Sequence, residues 1–365
     1  MKKRNILFLC LIVIVAIALR VWNLDTSTIN NDAFNLNIPN DFFAFFFTNA
    51  TGIIHSFYLK IYSILNLDKI LPYASILLDA ISIITLYFLG QEFNDKKNAE
   101  LTGLISSGFG AISVFLISTA KNNSLYSLVF LLASLVILFA FKILNTQNKK
   151  YFIPLSIFSI MLFFTFNLSV FFIIFSFLAI ISFYAKKKKT LSSNITTFFG
   201  ILLLFSPIIP FVLNVVNTPD YLNQYALSFN FEHIIIYLTN MFSPKLSLTN
   251  IFEFSNVGFW IFVIIPSIIG FTLAVIGTAN KKTTSYCVIT LFISTFLSML
   301  IMCICAKEAL LSKYLITVYP ILIVAFANGI PSLKSKTLKI ILPTIFATIT
   351  LFYIIANNLI STKLF

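Results

Sequence analysis

The sequence predicts an all-α polytopic membrane protein that crosses a bilayer about ten or eleven times. Three observations predict it. First, 59% of the 365 residues are hydrophobic and only 10% are charged, against about 25% charged in an ordinary soluble domain. A water-soluble fold of this composition would expose large apolar patches. Second, the apolar runs are about 18–22 residues long and do not alternate. That length suits a helix across a hydrocarbon core of about 30 Å, whereas barrel strands would be about ten residues with period two. Third, the basic residues fall in short clusters between the runs, where the positive-inside rule places them.

The predicted spans are 5–24, 70–89, 100–119, 125–144, 152–168, 169–185, 196–214, 256–277, 286–306, 315–330 and 339–359. The first follows Met1-Lys2-Lys3-Arg4, and Ala16-Ile17-Ala18 resembles a signal-peptidase site. Its length favours an uncleaved first helix over a signal peptide. The stretch 152–185 reads either as two short helices around Asn167 or as one long tilted helix. Pro207 and Pro210 predict a kink in the span 196–214, tolerable in lipid where neighbours satisfy the freed carbonyls.

Placing the N-terminus in the cytoplasm and alternating puts seventeen of the 25 Lys and Arg inside. These are Lys2, Lys3 and Arg4, then the clusters at 96–97, 142–150, 186–189, 281–282 and 334–339. The acids do the reverse. Asp25, Asp32, Asp41, Asp68, Asp220, Glu232, Glu253 and Glu308 fall outside, and Asp79 lies within the second span. The chain therefore reads as one transmembrane domain over 1–365. It has two long outer loops, 25–69 and 215–255, and short basic inner loops. In the first loop Ile53, Ile54, Phe57, Ile61 and Ile64 recur at helical spacing, which predicts an amphipathic helix along the membrane surface. Phe231–Phe242 is a weaker segment of the same kind.

Several function classes drop out. The net charge of +13 is explained by inner-loop lysines, so nucleic acid is not an expected partner. No Gly-rich phosphate loop is present, and the inner loops leave no room for a nucleotide-binding domain. Cys10, Cys287, Cys303 and Cys305 all lie in apolar runs without metal-ligand spacing and read as small apolar residues. Most of the 43 Phe read as lipid-facing packing.

Polar chemistry then concentrates at the outer face. Asp32 is a carboxylate in an outer loop, able to take a proton from an acceptor. Arg20 lies at the outer end of the first span. It reads either as an interface anchor that snorkels to headgroups, or as a partner for Asp32 or a phosphate. Lys60, Lys121, Lys307 and Lys313 are outer-side cations that read singly as contacts to lipid headgroups and together as a set able to bind a phosphate. His55, Asp41 and Glu308 are further candidates for proton or metal chemistry. Asp79 reads as a costly intramembrane charge or as a neutral, hydrogen-bonded acid.

Four stretches carry a family resemblance. They are Leu19-Arg20-Val21-Trp22-Asn23-Leu24 with Asn31-Asp32, Phe57-Tyr58-Leu59-Lys60-Ile61-Tyr62, Leu71-Pro72 through Leu86-Tyr87-Phe88-Leu89-Gly90, and Lys313-Tyr314-Leu315 with Tyr319-Pro320. In these the chain resembles membrane glycosyltransferases of the GT-C fold, in particular the bacterial protein mannosyltransferase and aminoarabinose transferase group. The resemblance implies transfer of a sugar, with inversion, from a polyprenyl-phosphate donor to a lipid, glycan or protein acceptor. It implies a bacterial inner membrane and a periplasmic active face, with Asp32 as base and Arg20, Lys60, Lys121, Lys307 and Lys313 at the donor phosphate. There are departures. The family's acidic pair is reduced to Asp32 after Asn31. Its His-Pro-Pro would fall at Thr51-Gly52-Ile53, and its Gln-Glu-Ala-Arg at Lys121-Asn122-Asn123-Ser124. A divalent metal is therefore left open as a cofactor, with no metal ligands assigned. The alternatives are a polysaccharide polymerase or ligase, a lipid-glycan flippase, and an inactive GT-C relative.

Overall fold

The computed structural model describes residues 3–22, 24, 71–94, 98–122, 124–166, 169–186, 264–279 and 309–361. Among these every element is helical. Helix α1 is Lys3–Val21, α2 Leu71–Phe93, α3 Ala99–Ile112, α4 Val114–Asn122 and α5 Ser124–Thr146. A short 3-10 turn, Lys149–Tyr151, leads into α6 (Phe152–Thr165), followed by α7 (Val170–Lys186), α8 (Ile265–Ala279), α9 (Ala309–Ser332) and α10 (Lys336–Ser361). Four of the described helices are long and apolar enough to cross a membrane, or five if the bent pair α3–α4 is one span. The protein is an all-α polytopic membrane protein. The predicted spans 196–214 and 286–306, both outer loops and their surface helices lie outside the described residues.

Two expectations are refined. The span 100–119 is a broken helix, because α3 and α4 meet at 53° across Ser113. The stretch 152–185 is two helices: α6 stops where Phe166 turns extended at φ −146°, and α7 begins at Val170.

Side-chain pairings fix how the first helices run. Asn5 donates to Glu100, and Lys121 donates to the Trp22 carbonyl, so α1 runs parallel to α3–α4. Ser75 and Ser127 share a hydrogen bond at 2.9 Å, and Asn145 donates to the Glu92 carbonyl at 2.7 Å. Thus α2 and α5 run parallel to each other. Asn94 donates to Thr102, and Ser107 donates to the Ile83 carbonyl, which sets α2 antiparallel to α3. These directions are those of an alternating in-and-out chain.

Lipid is as apolar as a leucine side chain, so helices in a bilayer associate through close packing and polar contacts rather than by escape from water. The structure uses both. At the α2–α3 crossing a Cβ on Gly90 would stand 2.8 Å from Gly103 Cα, and one on Gly103 would stand 2.6 Å from the Tyr87 carbonyl oxygen. At the α8–α9 crossing a Cβ on Gly329 would meet the Leu273 oxygen at 2.0 Å, and one on Gly277 would meet the Ala325 oxygen at 1.9 Å. Only glycine permits that backbone approach. Asn328 then reaches across to donate to the Gly277 carbonyl at 2.7 Å.

The core is built around α5, with α2, α4, α6, α7 and α9 packed on it. Many of the described aromatic residues differ from the lipid-facing expectation. Phe109, Phe326 and Phe346 form a buried three-ring cluster with centroids 4.6–5.1 Å apart. Phe93 and Phe141 make a second buried pair at 5.2 Å. Flat rings fill the wide gaps between helices with large dispersion contact, which is the available cohesion when the solvent is itself hydrocarbon. Phe8, Phe88 and Phe352 remain on the outside, as does Cys10.

Replacing Gly329 with Ala is expected to destabilise the α8–α9 pair by about 1–3 kcal/mol, the usual cost of overpacking. Gly108 has nothing within 4 Å of its added Cβ. Gly108→Ala is therefore expected to be neutral, or stabilising by up to about 1 kcal/mol from helix propensity. Unfolding midpoints of the two variants in detergent, compared with the parent, check both.

Candidate functional site

The distinctive polar centre of the described structure lies where α1, α2 and the break between α3 and α4 meet. It begins with the backbone. Ser113 adopts an extended conformation (φ −63°, ψ 115°) that ends α3. The last carbonyls of a helix have no intrahelical donor, so the ends of Gly110 and Ala111 need partners inside an apolar bundle. On its other side Ser113 starts α4: its Oγ accepts from the Leu116 N–H at 3.4 Å, and its carbonyl accepts from the Ile117 N–H at 2.9 Å. The same Oγ lies 2.7 Å from the Tyr319 hydroxyl of α9. One residue thus closes one helix, caps the next and ties the break to a distant helix.

Arg20 satisfies the orphaned carbonyls. Its Nη1 donates to the Ala111 oxygen at 2.9 Å and to the Ala16 oxygen at 3.0 Å. Its Nη2 donates to the Gly110 oxygen at 3.2 Å, and its Nε donates to Asp79 Oδ2. Four of the five guanidinium N–H donors are therefore occupied. Both charged side chains are buried, at 0% and 1% exposure. Among the described residues this is the only ion pair, and Asp79 Oδ1 has no hydrogen-bond partner. The negative end of the α3 dipole adds to the attraction for the cation. Small residues make the approach possible: Ala16 and Ala111, whose carbonyls accept from Arg20, pack in one buried cluster with Ile83.

Sequence reasoning treated Arg20 and Asp79 separately, and the structure brings them together. Asp79 lies about 12 Å along α2 from Leu71 at the helical rise, while Arg20 is next to the last residue of α1. The difference in depth hides the pairing. The usable signal was that two adjacent apolar spans each carry one uncompensated charge of opposite sign.

Lys121 belongs to the same end of the bundle. At the last turn of α4 it is half-buried, and its Nζ donates to the Trp22 carbonyl just beyond α1 at 2.5 Å. An ammonium has three donors, so this contact commits one of them. Of Lys313 only the helical backbone in α9 is described. Asp32, Lys60, Lys307, His55, Asp41 and Glu308 lie outside the described residues. Among the described residues no three His, Cys, Asp or Glu gather as a metal site.

No protein-family model matches the sequence, and no curated protein is significantly similar to it.

A buried pair is weak evidence for net stability, but breaking one half leaves an unpaired charge in an apolar interior. Arg20→Met is expected to cost about 3–5 kcal/mol, and the double variant Arg20→Met/Asp79→Leu to recover only the part due to the stranded carboxylate, because the Gly110 and Ala111 carbonyls stay without their donor. Unfolding by SDS titration in mixed micelles, run as a double-mutant cycle, measures both.

Proposed function

We propose that this protein is a GT-C-type glycosyltransferase that moves a sugar from a polyprenyl-phosphate donor to a lipid, glycan or protein acceptor at the periplasmic face of a bacterial inner membrane. The observation that supports this reading is the Lys121 ammonium, held on the Trp22 carbonyl at the end of α1 from which the segment bearing Asp32 departs. Sugar transfer from a lipid phosphate requires a base near the anomeric carbon and cations at the leaving phosphate. In this reading Asp32 takes the proton of the acceptor hydroxyl as its oxygen bonds to the anomeric carbon. The bond from that carbon to the donor phosphate oxygen breaks, and the polyprenyl phosphate leaves. Lys121, with Lys60, Lys307 and Lys313, neutralises the departing phosphate. Arg20 has a different part: committed to Asp79 and the α3 carbonyls, it fixes the end of α1 and hence the starting point of the Asp32 segment.

A flippase for lipid-linked glycans is the second reading, and the buried Arg20–Asp79 pair favours it. Ionisable residues within spans are expensive and commonly mark transport or relay paths.

Incubation of the purified protein with labelled polyprenyl-phosphate sugars separates the two. Transfer by the parent is expected, with a loss of about 10²–10⁴-fold in Asp32→Asn, the range for a general base. Equal transfer by the parent and Asp32→Asn removes Asp32 from the mechanism. Movement of a labelled lipid-linked glycan across proteoliposomes, with no transfer from any donor, would replace the enzyme by the flippase. Lys121→Gln is expected to slow transfer from the phosphate donor without changing the unfolding midpoint, which a thermal scan beside the kinetic assay checks.

A further inference from the structure

The opposite end of the bundle carries a second cationic arrangement, remote from the Arg20 centre. It is built on the α5–α6 turn. The C-terminal part of α5 presents Lys142, one turn before the last, whose Nζ stands 5.6 Å from the centroid of Phe139 and 5.6 Å from that of Tyr151. Lys150, in the 3-10 turn, places its Nζ 5.1 Å from the same Tyr151 centroid. Two ammonium groups are thus gathered on one aromatic ring. Like charges brought together raise the local potential and favour an anion between or beside them.

The neighbouring groups leave that charge uncompensated among the described residues. Neither lysine forms an ion pair there, where Arg20 and Asp79 make the only one. The nearby acid is Glu92 at the end of α2, and its Oε2 accepts from Asn145 at 3.2 Å. The turn itself is fixed. Asn148 Oδ1 accepts from the Lys150 N–H at 3.1 Å, the Asn148 N–H donates to Thr146 Oγ1, and Gln147 takes a positive φ of 57°. Phe139 stacks on Phe158 of α6 with centroids 5.6 Å apart. The lysines therefore spring from a rigid aromatic platform and not from a floppy loop. Lys142 is half-buried against the rings while Lys150 is exposed, so the cluster spans the boundary between the apolar bundle and its polar surroundings. Tyrosine at that boundary is the usual interfacial anchor.

We propose that Lys142, Lys150 and Tyr151 form a binding site for the headgroup of an anionic phospholipid. The phosphodiester meets the two ammoniums, and the acyl chains run along the exposed face of α6, where Ile153 and Ile157 project outward. Basic pockets between spans hold anionic headgroups by this combination of charge and depth. The two lysines act as phosphate ligands and the tyrosine ring holds them in place through cation–π contacts.

The test uses the full chain in detergent, titrated with phosphatidylglycerol or phosphatidylcholine and read by native mass spectrometry as lipid retained per protein. Phosphatidylglycerol is expected to be retained more tightly than phosphatidylcholine. Lys142→Gln/Lys150→Gln is expected to weaken that retention by about five-fold per lysine while leaving phosphatidylcholine unchanged. Competition by inorganic phosphate separates the two sources of the anion: a lipid site resists it at concentrations where a free-phosphate site fills. Equal retention of the two lipids by the parent overturns the proposal. So does undiminished phosphatidylglycerol retention by the double variant, or full displacement by inorganic phosphate. Lys142→Arg/Lys150→Arg serves as the folding control. It keeps the charges, and its retention is expected to stay within about two-fold of the parent.

Discussion

The buried Arg20–Asp79 pair governs the architecture around it. A guanidinium in an apolar bundle must find a counter-charge and acceptors for its donors, because unpaired burial of charge is far costlier than any single packing contact. Here the counter-charge comes from α2, and the acceptors come from α1 itself and from the broken end of α3. Three helices are therefore tied at one point. The pairing selects one arrangement because a rotation of α1 would strand the charge against apolar side chains.

The break at Ser113 and the arginine explain each other. A helix that stops inside a membrane exposes carbonyls that only protein can satisfy, and Arg20 supplies the donors. Conversely, the guanidinium needs more acceptors than one carboxylate provides, and an unbroken α3 would offer none. The Ser113–Tyr319 hydrogen bond carries the arrangement to α9, where the backbone contacts at Gly277 and Gly329 lock α8 in turn. A polar centre at one end of the bundle is thus joined to a glycine-mediated crossing by a short series of direct contacts.

The two ends of the described bundle are chemically different. At one end Arg20 is consumed by internal partners and Lys121 is held on the Trp22 carbonyl. At the other, Lys142 and Lys150 rest on aromatic rings and form no ion pair among the described residues. The first arrangement positions chain segments, and the second offers charge outward.

The sequence by itself determined the all-α polytopic class and the location of the described helices, since apolar length and the placement of lysines are set by the bilayer's thickness and field and need no knowledge of neighbours. Ser113 did not announce the break in span 100–119: serine is tolerated within membrane helices, and only the demand of Arg20 for acceptors and the reach of Tyr319 make it a terminus. The partner of Arg20 was likewise undetermined. Its position near a helix end reads as a headgroup anchor until Asp79 is brought beside it from a different depth of α2. The tertiary structure decided these points because charge compensation and backbone approach are properties of pairs of helices. Hydropathy along one chain reports only each helix's relation to lipid.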